Sequence, residues 1–529
     1  MRFLLLLFSL IALQYVYCLD NKYDFIVIGG GTSGSVVASR LSESGKHSVL
    51  LLEAGVKDND NPLIKDIGNF MDMENTHLRW GAHKLKDETT TSGMSEISVM
   101  RVLGGGSTGN GGGYERGDVN DWDAIADYLG DDSWRIESLI EYFEKVENAV
   151  GKDNDLGEGG VFTIDFGQEG PLSDAWKAAA EELGYPAHTD FSNRGKDSGF
   201  AFEGSANING DRQHAANTYI EHVASKSLTI LTEAQVSKIV MKQKGKKLEA
   251  DAVEFYHDGQ YHQVKAKNEI IVSAGAIYTP FLLKHSGIGY EENSPEQYID
   301  LPGVGRNLID NSGFVMLFTN NIETPEEVGN LVPVALINGT EDSRDTFIIL
   351  KADPGIFVVV LVANQHGAKG SVSLYDKNPF SMPKIDYNFL ENDDEIERMK
   401  GRIEAIRSVM NSDAMSQYEP FEILPGEGSD LEDFIRSNVY HSFHLVGTCK
   451  MGPDSDALAV VDNKFKVKGV DKLRVIDNSV IPIETKMGTM ATALMLGEKG
   501  ADTVLSQYSP KRADVAVLSL SAAVAALLF

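Results

Sequence analysis

The first clear pattern along the chain is an apolar run, Tyr23-Asp24-Phe25-Ile26-Val27-Ile28, that feeds directly into Gly29-Gly30-Gly31-Thr32-Ser33-Gly34. A second run, Ser48-Val49-Leu50-Leu51-Leu52, ends on Glu53. Short continuous apolar runs bounded by turn residues predict buried strands of a parallel sheet. Together with a helix expected to begin near Ser33, they predict a strand–turn–helix–strand unit. Leu228–Leu231 followed by Ala234-Gln235-Val236 reads as strand, turn, strand. Ile270–Ser273 and Leu473–Ile476 read as further buried strands, the first running into Ala274 and Gly275. Between Gly313 and Phe380 the runs Phe314–Phe318, Thr346–Leu350, Phe357–Val362 and Gly370–Leu374 predict an antiparallel sheet.

The glycines of the first unit have separate physical tasks. Gly29 permits the tight turn, Gly31 lets a pyrophosphate approach the backbone, and Gly34 packs helix against strand. Phosphates would sit at the positive end of the helix, beside Thr32 and Ser33. Glu53, about twenty residues past the turn and followed by Ala54, is placed to accept from a ribose hydroxyl. The unit is therefore expected to bind a dinucleotide. A second glycine-rich stretch, Gly104 to Gly106, exposes backbone N–H groups to an anion or a ring edge where side chains would clash. Asn110 offers a donor and an acceptor to such a ring.

Composition narrows the partners. At 529 residues the chain exceeds a single core, so two interlocked domains are expected. A net charge of −30 argues against nucleic acid and anionic membrane surfaces. Residues 1–18 read as a secretory signal, with Arg2 before an apolar stretch from Phe3 to Leu13 and a cleavage site after Cys18. Cleavage would leave Cys449 alone and the mature chain without an internal disulfide. Asn338-Gly339-Thr340 is a glycosylation sequon, expected on the surface. The apolar tail Val515–Phe529, after a polar spacer, is open to three readings: a removable GPI signal, a short membrane tail, or a helix packed on the body.

Five ordered blocks carry a resemblance. Arg101-Val102-Leu103-Gly104-Gly105-Gly106-Ser107-Thr108-Gly109-Asn110-Gly111-Gly112-Gly113-Tyr114-Glu115-Arg116-Gly117 resembles the first signature of the glucose–methanol–choline (GMC) oxidoreductases. Gly275–Gly289 resembles the second. Leu301–Leu308, His444–Gly452 and Arg474–Asp477 fit in sequence. The resemblance implies an α/β fold, with a Rossmann-like FAD-binding domain interleaved with a substrate domain on an antiparallel sheet, as in the p-hydroxybenzoate-hydroxylase-like flavoproteins. Expected boundaries are 20–165, 206–312 and 436–505 for the FAD-binding parts, 166–205 and 313–435 for the substrate parts, and 506–529 for the spacer and tail.

By the same resemblance Val102, Gly104, Gly105, Ser107, Asn110 and Gly111 lie along flavin and pyrophosphate. Val236 meets the adenine, and Ala274, Asp477, Asn478 and Met490 also contact the cofactor. Gly109 stands where some members tether the flavin to a histidine, so FAD is expected without a covalent bond. His444 is the expected base: it takes the hydroxyl proton of an alcohol while hydride leaves carbon for flavin N5. His441 is expected to be a neighbour. The family's second histidine or asparagine falls on Gly488, and restoring either there is expected to raise turnover if that gap is what limits it, no change or a loss meaning that the site has been rebuilt. The expected partners are a small-molecule alcohol, with apolar or aromatic groups favoured, and oxygen or another electron acceptor. A hydroxynitrile lyase with structural FAD and a weakly active flavoprotein stay open as alternatives, and the oligomeric state stays undetermined.

Overall fold

The structure is a computed structural model that describes residues 19–508, apart from 74–75, 82, 87–95, 152–153, 168, 189–197, 290, 325–331, 341–342, 365–366, 368, 388 and 391–392. The leader and the apolar tail lie outside the described residues. Two large sheets organise the chain. In the first, Leu228–Leu231, Val49–Leu52, Lys22–Ile28 and the end of Gln260–Val272 run parallel, and Leu473–Val475 adds to the far edge. The register sets Phe25 beside Val49 and Val27 beside Ile271. Every residue of Val49–Leu52 is buried, as a strand covered on both faces requires. Each such aliphatic side chain contributes ~1.5–3 kcal/mol of burial.

The helix Thr32–Glu43 covers this sheet, and the C-terminal helix Met490–Tyr508 lies against it. Ser33 Oγ donates to Ala493 O at 2.7 Å, and Arg40 pairs with buried Glu498 at 2.8 Å. Among the described residues no helix is long and apolar enough to cross a membrane.

Among the described residues the second sheet has ten strands. Ser312–Thr319, Ile356–Ala363, Ser343–Asp353, Val332–Thr340 and Gly199–Ser205 pair antiparallel in that spatial order. Trp176, on the helix Pro171–Glu182, donates its indole N–H to Val334 O at 3.1 Å.

Two expectations need correction. Gly370–Leu374 does not join the large antiparallel sheet: Ser371–Ser373 pairs with Lys384–Asp386 in a separate four-stranded sheet. The boundary at 165 also comes too late. Gly113–Tyr114, Glu147–Val150 and Phe162–Asp165 already pair in the substrate sheet. In both cases strand direction and partner were set by contacts far along the chain, which an apolar run does not encode.

Candidate active site

Both sheets open onto one cavity of about 1490 Å³. Its walls include every cofactor residue expected from the sequence except Gly34 and Gly104. At one end the wall is backbone. Gly29 has φ +95°, in the left-handed region, and its carbonyl oxygen would lie 1.9 Å from a Cβ on Gly34. Strand and helix thus meet with no room for a methyl group. At Gly31 the same test finds only Gly105 Cα, at 3.8 Å, and at Gly106, Gly111 and Gly275 nothing within 4 Å. These glycines leave open space rather than fill it.

The helix that starts after Gly31 has neither a side-chain cap nor an acidic residue in its first turn. Its first N–H groups and its positive end are therefore left for an anion. Glu53 closes this end: Oε2 accepts from Gly30 N and Oε1 from Gly55 N, both at 2.7 Å. Burial pushes its carboxyl pKa up, and the two backbone donors oppose that. Ala54, Val236 and Ala234 flank it on the cavity wall.

Further in, Thr32 Oγ1 accepts from Ser107 N at 3.2 Å, joining the two glycine loops. Ser107 Oγ donates to Gly104 O at 2.7 Å and accepts from Ala215 N at 3.1 Å. Asn110 is held by Arg212, whose Nη1 donates to Asn110 O at 2.6 Å and to Oδ1 at 2.8 Å. Its amide nitrogen reaches Met490 Sδ at 3.0 Å. Asp477 is saturated: it accepts from Gly275 N, Thr279 Oγ1 and Ser479 N, and burial raises its pKa. Next to it Asn478 Oδ1 is buried with no hydrogen-bond partner. An unpartnered acceptor on the wall, a helix N-terminus with no side-chain cap and glycines facing open space together fit an FAD molecule. Gly109 offers no nucleophile, and a Cβ added there would sit 2.5 Å from Met100 Sδ, so a side chain would require Met100 to move.

Gly104 departs from its expected role. Its N–H donates to Gly30 O at 2.7 Å, and it has φ +102° with Thr108 and His214 packed on it. It joins the two glycine loops and offers no donor to a ligand.

At the other end the wall is side chain. His444 Nδ1 lies 2.9 Å from Asn311 Oδ1. The Asn311 amide cannot be reversed, because its Nδ2 already donates to Asn364 Oδ1 at 3.0 Å and Thr485 O at 2.9 Å. Its oxygen must therefore accept, so the proton of His444 sits on Nδ1 and Nε2 carries the lone pair. Burial drives the His444 pKa down to about 4, so the ring is neutral at pH 7. The backbone N–H of His444 donates to Asp310 Oδ1 at 2.8 Å, and Tyr387 OH donates to Oδ2 at 3.0 Å. Burial holds the Asp310 carboxyl up at about 7. His441 lies edge-on to Phe443 with ring centroids 4.3 Å apart, and its Nε2 is 3.4 Å from Glu96 O. It is a neighbour of the site.

Gly488 faces His444, but its vicinity is occupied. A Cβ built there would lie 3.9 Å from His444 Nε2 and 3.0 Å from Glu115 Oε2. A histidine or asparagine at 488, expected to raise turnover if that gap is what limits it, would meet Glu115 there. Asn311, Asp310 and Glu115 were not singled out from sequence. Glu115 stood inside a quoted block, and the usable signal was a lone acid on a strand of glycines and aromatics.

The remaining wall alternates. Val358, Val360 and Val362 face the cavity, whereas Phe357, Val359 and Leu361 are fully buried. Trp80 stacks on Tyr278 at 4.2 Å, and Phe281 lies beside them.

Comparison with known proteins agrees with this arrangement. Two family models described as GMC oxidoreductase match residues 23–312 and 367–497. An oxygen-dependent choline dehydrogenase of Brucella anthropi is 30% identical over 93% of this chain and 97% of its own. One from Vibrio vulnificus is 29% identical over 94% and 97%. Among solved structures, pyridoxine 4-oxidase from Mesorbium loti superposes with a TM-score of 0.79 at 27% identity, covering 90% of this chain and 98% of its own. A fungal aryl-alcohol oxidase shares the fold, with a TM-score of 0.77 at 22% identity over 93% and 100%. The lyase alternative gains no support from these relatives. With family models spanning most of its length, the chain belongs to the glucose–methanol–choline oxidoreductases and is an FAD-dependent enzyme that oxidises alcohols.

Proposed function

We propose that this enzyme is secreted and oxidises a small apolar or aromatic alcohol to its carbonyl, with His444 as the base and FAD held without a covalent bond. One observation carries the catalytic part: the fixed Asn311 amide leaves His444 Nε2 as a neutral acceptor facing the cavity. Bound FAD supplies the two-electron oxidant that receives the hydride from the carbinol carbon. Gly31, the first turn of Thr32–Glu43, Glu53, Asn110 and Asn478 would hold it. His444 Nε2 takes the hydroxyl proton, and the Asn311 bond keeps the ring oriented while it does so. Alternating valines and the Trp80–Tyr278 pair form an apolar stretch of wall that favours an apolar substituent. The leader-like residues 1–18 and exposed Asn338 support secretion.

The test is an anaerobic panel of aliphatic primary, benzylic and polyol substrates mixed with the yellow protein. Bleaching of the flavin, fastest with the aliphatic and benzylic members, is expected. Bleaching by polyols alone would reverse the substrate assignment, and none across the panel would end the redox reading.

A further inference from the structure

Gly488 leaves the reaction short of the second polar side chain that the resemblance calls for, yet the space beside it is not apolar. Glu115 Oε2 lies 3.0 Å from the position a Cβ on Gly488 would take, and His444 Nε2 lies 3.9 Å from the same point. The two groups thus border one small volume. Glu115 reaches it because it sits between residues that are held elsewhere. Tyr114 OH donates to buried Glu147 at 3.0 Å, and Arg116 Nε donates to the same carboxylate at 2.7 Å. Alternation along the strand then sends Glu115 to the cavity side, where it lines the wall.

A second acid stands behind it. Gly113 pairs with Ser205 and Tyr114 with Gly204, antiparallel. One further step of that register sets Glu115 opposite Glu203, and both side chains line the cavity. The Glu203 carboxylate lies over Gly113, with Oε1 2.2 Å from where a Cβ on that residue would be, so its position also depends on a glycine. Like charges directly opposite across two strands destabilise a sheet. A like charge beside a buried carboxyl favours the protonated form of that carboxyl, here Glu115.

Resting on the alcohol-oxidation reading above, we propose that Glu115, backed by Glu203, is the second catalytic group of this enzyme, bordering with His444 the space beside Gly488 and hydrogen-bonding the substrate oxygen. Burial first, and the Glu203 carboxylate second, raise the Glu115 pKa well above the ordinary carboxylate range. At neutral pH Glu115 is therefore a donor. The hydroxyl proton passes to His444 Nε2 and the hydride to the bound oxidant. Glu115 keeps its own proton and stabilises the negative charge that grows on oxygen as these two depart. The substrate loses one proton and one hydride and becomes the carbonyl, so the step balances. Other charged groups also border this region. Lys486 is bound to Asp121 and lies 3.4 Å from Asp118, and Lys351 and Asp353 line the cavity from the substrate sheet.

Two measurements test the proposal on the FAD-loaded protein. Infrared difference spectra at pH 7 of wild type against Glu115→Gln should show one protonated carboxyl band lost. Absence of that band overturns the proposal without reference to any substrate. Anaerobic flavin bleaching by whichever alcohol of the panel reduces wild type fastest should fall ~10²–10³-fold in Glu115→Leu. In Glu115→Gln, which keeps a donor, it should fall by less than about tenfold. Because Glu115 must be protonated, the rate is lost as pH rises through its pKa. Glu203→Gln removes the like charge and should move that loss to lower pH. Glu115→Leu that binds FAD and bleaches at the wild-type rate overturns the proposal while leaving alcohol oxidation standing. A wild type that no alcohol reduces overturns both.

Discussion

The two ends of the cavity are built by opposite means. At the dinucleotide end the working groups are backbone N–H donors, and the sequence contributes chiefly by leaving side chains out: Gly31, Gly106 and Gly275 face open space, and Gly34 admits no methyl at all. At the reacting end the working groups are side chains, His444, Asn311 and Glu115, and each is oriented by another side chain or by a paired strand. A backbone-lined site is specified by which residues are small. A side-chain-lined site is specified by which distant residues meet. Damage to the first should therefore appear as lost cofactor or lost fold, and damage to the second as lost rate with the cofactor still in place.

The sharpest way to break this contrast is Gly34→Ala. A Cβ 1.9 Å from Gly29 O forces helix and strand apart, and more than about 3 kcal/mol of stability should go. The expected product is little folded protein and no yellow colour on purification. A stable yellow variant would mean that the turn yields more easily than its geometry implies. Next comes His444→Ala, which should slow anaerobic flavin reduction ~10²–10⁴-fold with FAD content unchanged. Loss of FAD together with rate would erase the distinction between the two ends.

Asn311→Leu is the subtler version. It frees the imidazole to adopt the other tautomer and should cost about 10² in reduction rate, again with FAD bound. Gly31→Ala sharpens the contrast from the dinucleotide side. The cofactor-free protein should melt within about 0.5 kcal/mol of wild type, since only Gly105 Cα lies near the new methyl. FAD affinity should nevertheless drop about tenfold or more, some 1.4 kcal/mol, in a titration followed by flavin fluorescence.

The smallest effect is in pH. The His444 pKa is depressed to about 4, so its lone pair is available above that value and lost by protonation below it. On the acid side, flavin reduction in wild type should fall as pH drops through about 4, and an acid limb near pH 6.5 would mean that the site is wetter than its burial implies.

Much of this molecule was readable in the residue order, though unevenly. The strand Lys22–Ile28, the helix after Gly31 and the strand ending before Glu53 lie where the apolar runs and glycine spacing put them, because period and turn chemistry act over a few residues. His444 was legible from its position in a block. The assignment of Ser371–Ser373 to a small separate sheet was not, nor was the early crossing of Glu147–Asp165 into the substrate sheet, because edge and partner are chosen by packing. Gly104 was read as a ligand donor because a glycine run looks the same whether its N–H groups face a ligand or, as here, another loop's carbonyl.

By itself, then, the order of residues determined the cradle, meaning where the chain must turn tightly, where a helix begins and where side chains are absent. Those are local properties of a backbone, and they survive without knowledge of anything far away. Only the tertiary structure decided which nitrogen of His444 holds its proton, and that Glu115 and His444 meet beside Gly488. Both depend on pairing between strands and loops well separated along the chain, and such pairing is settled by what the folded core buries together.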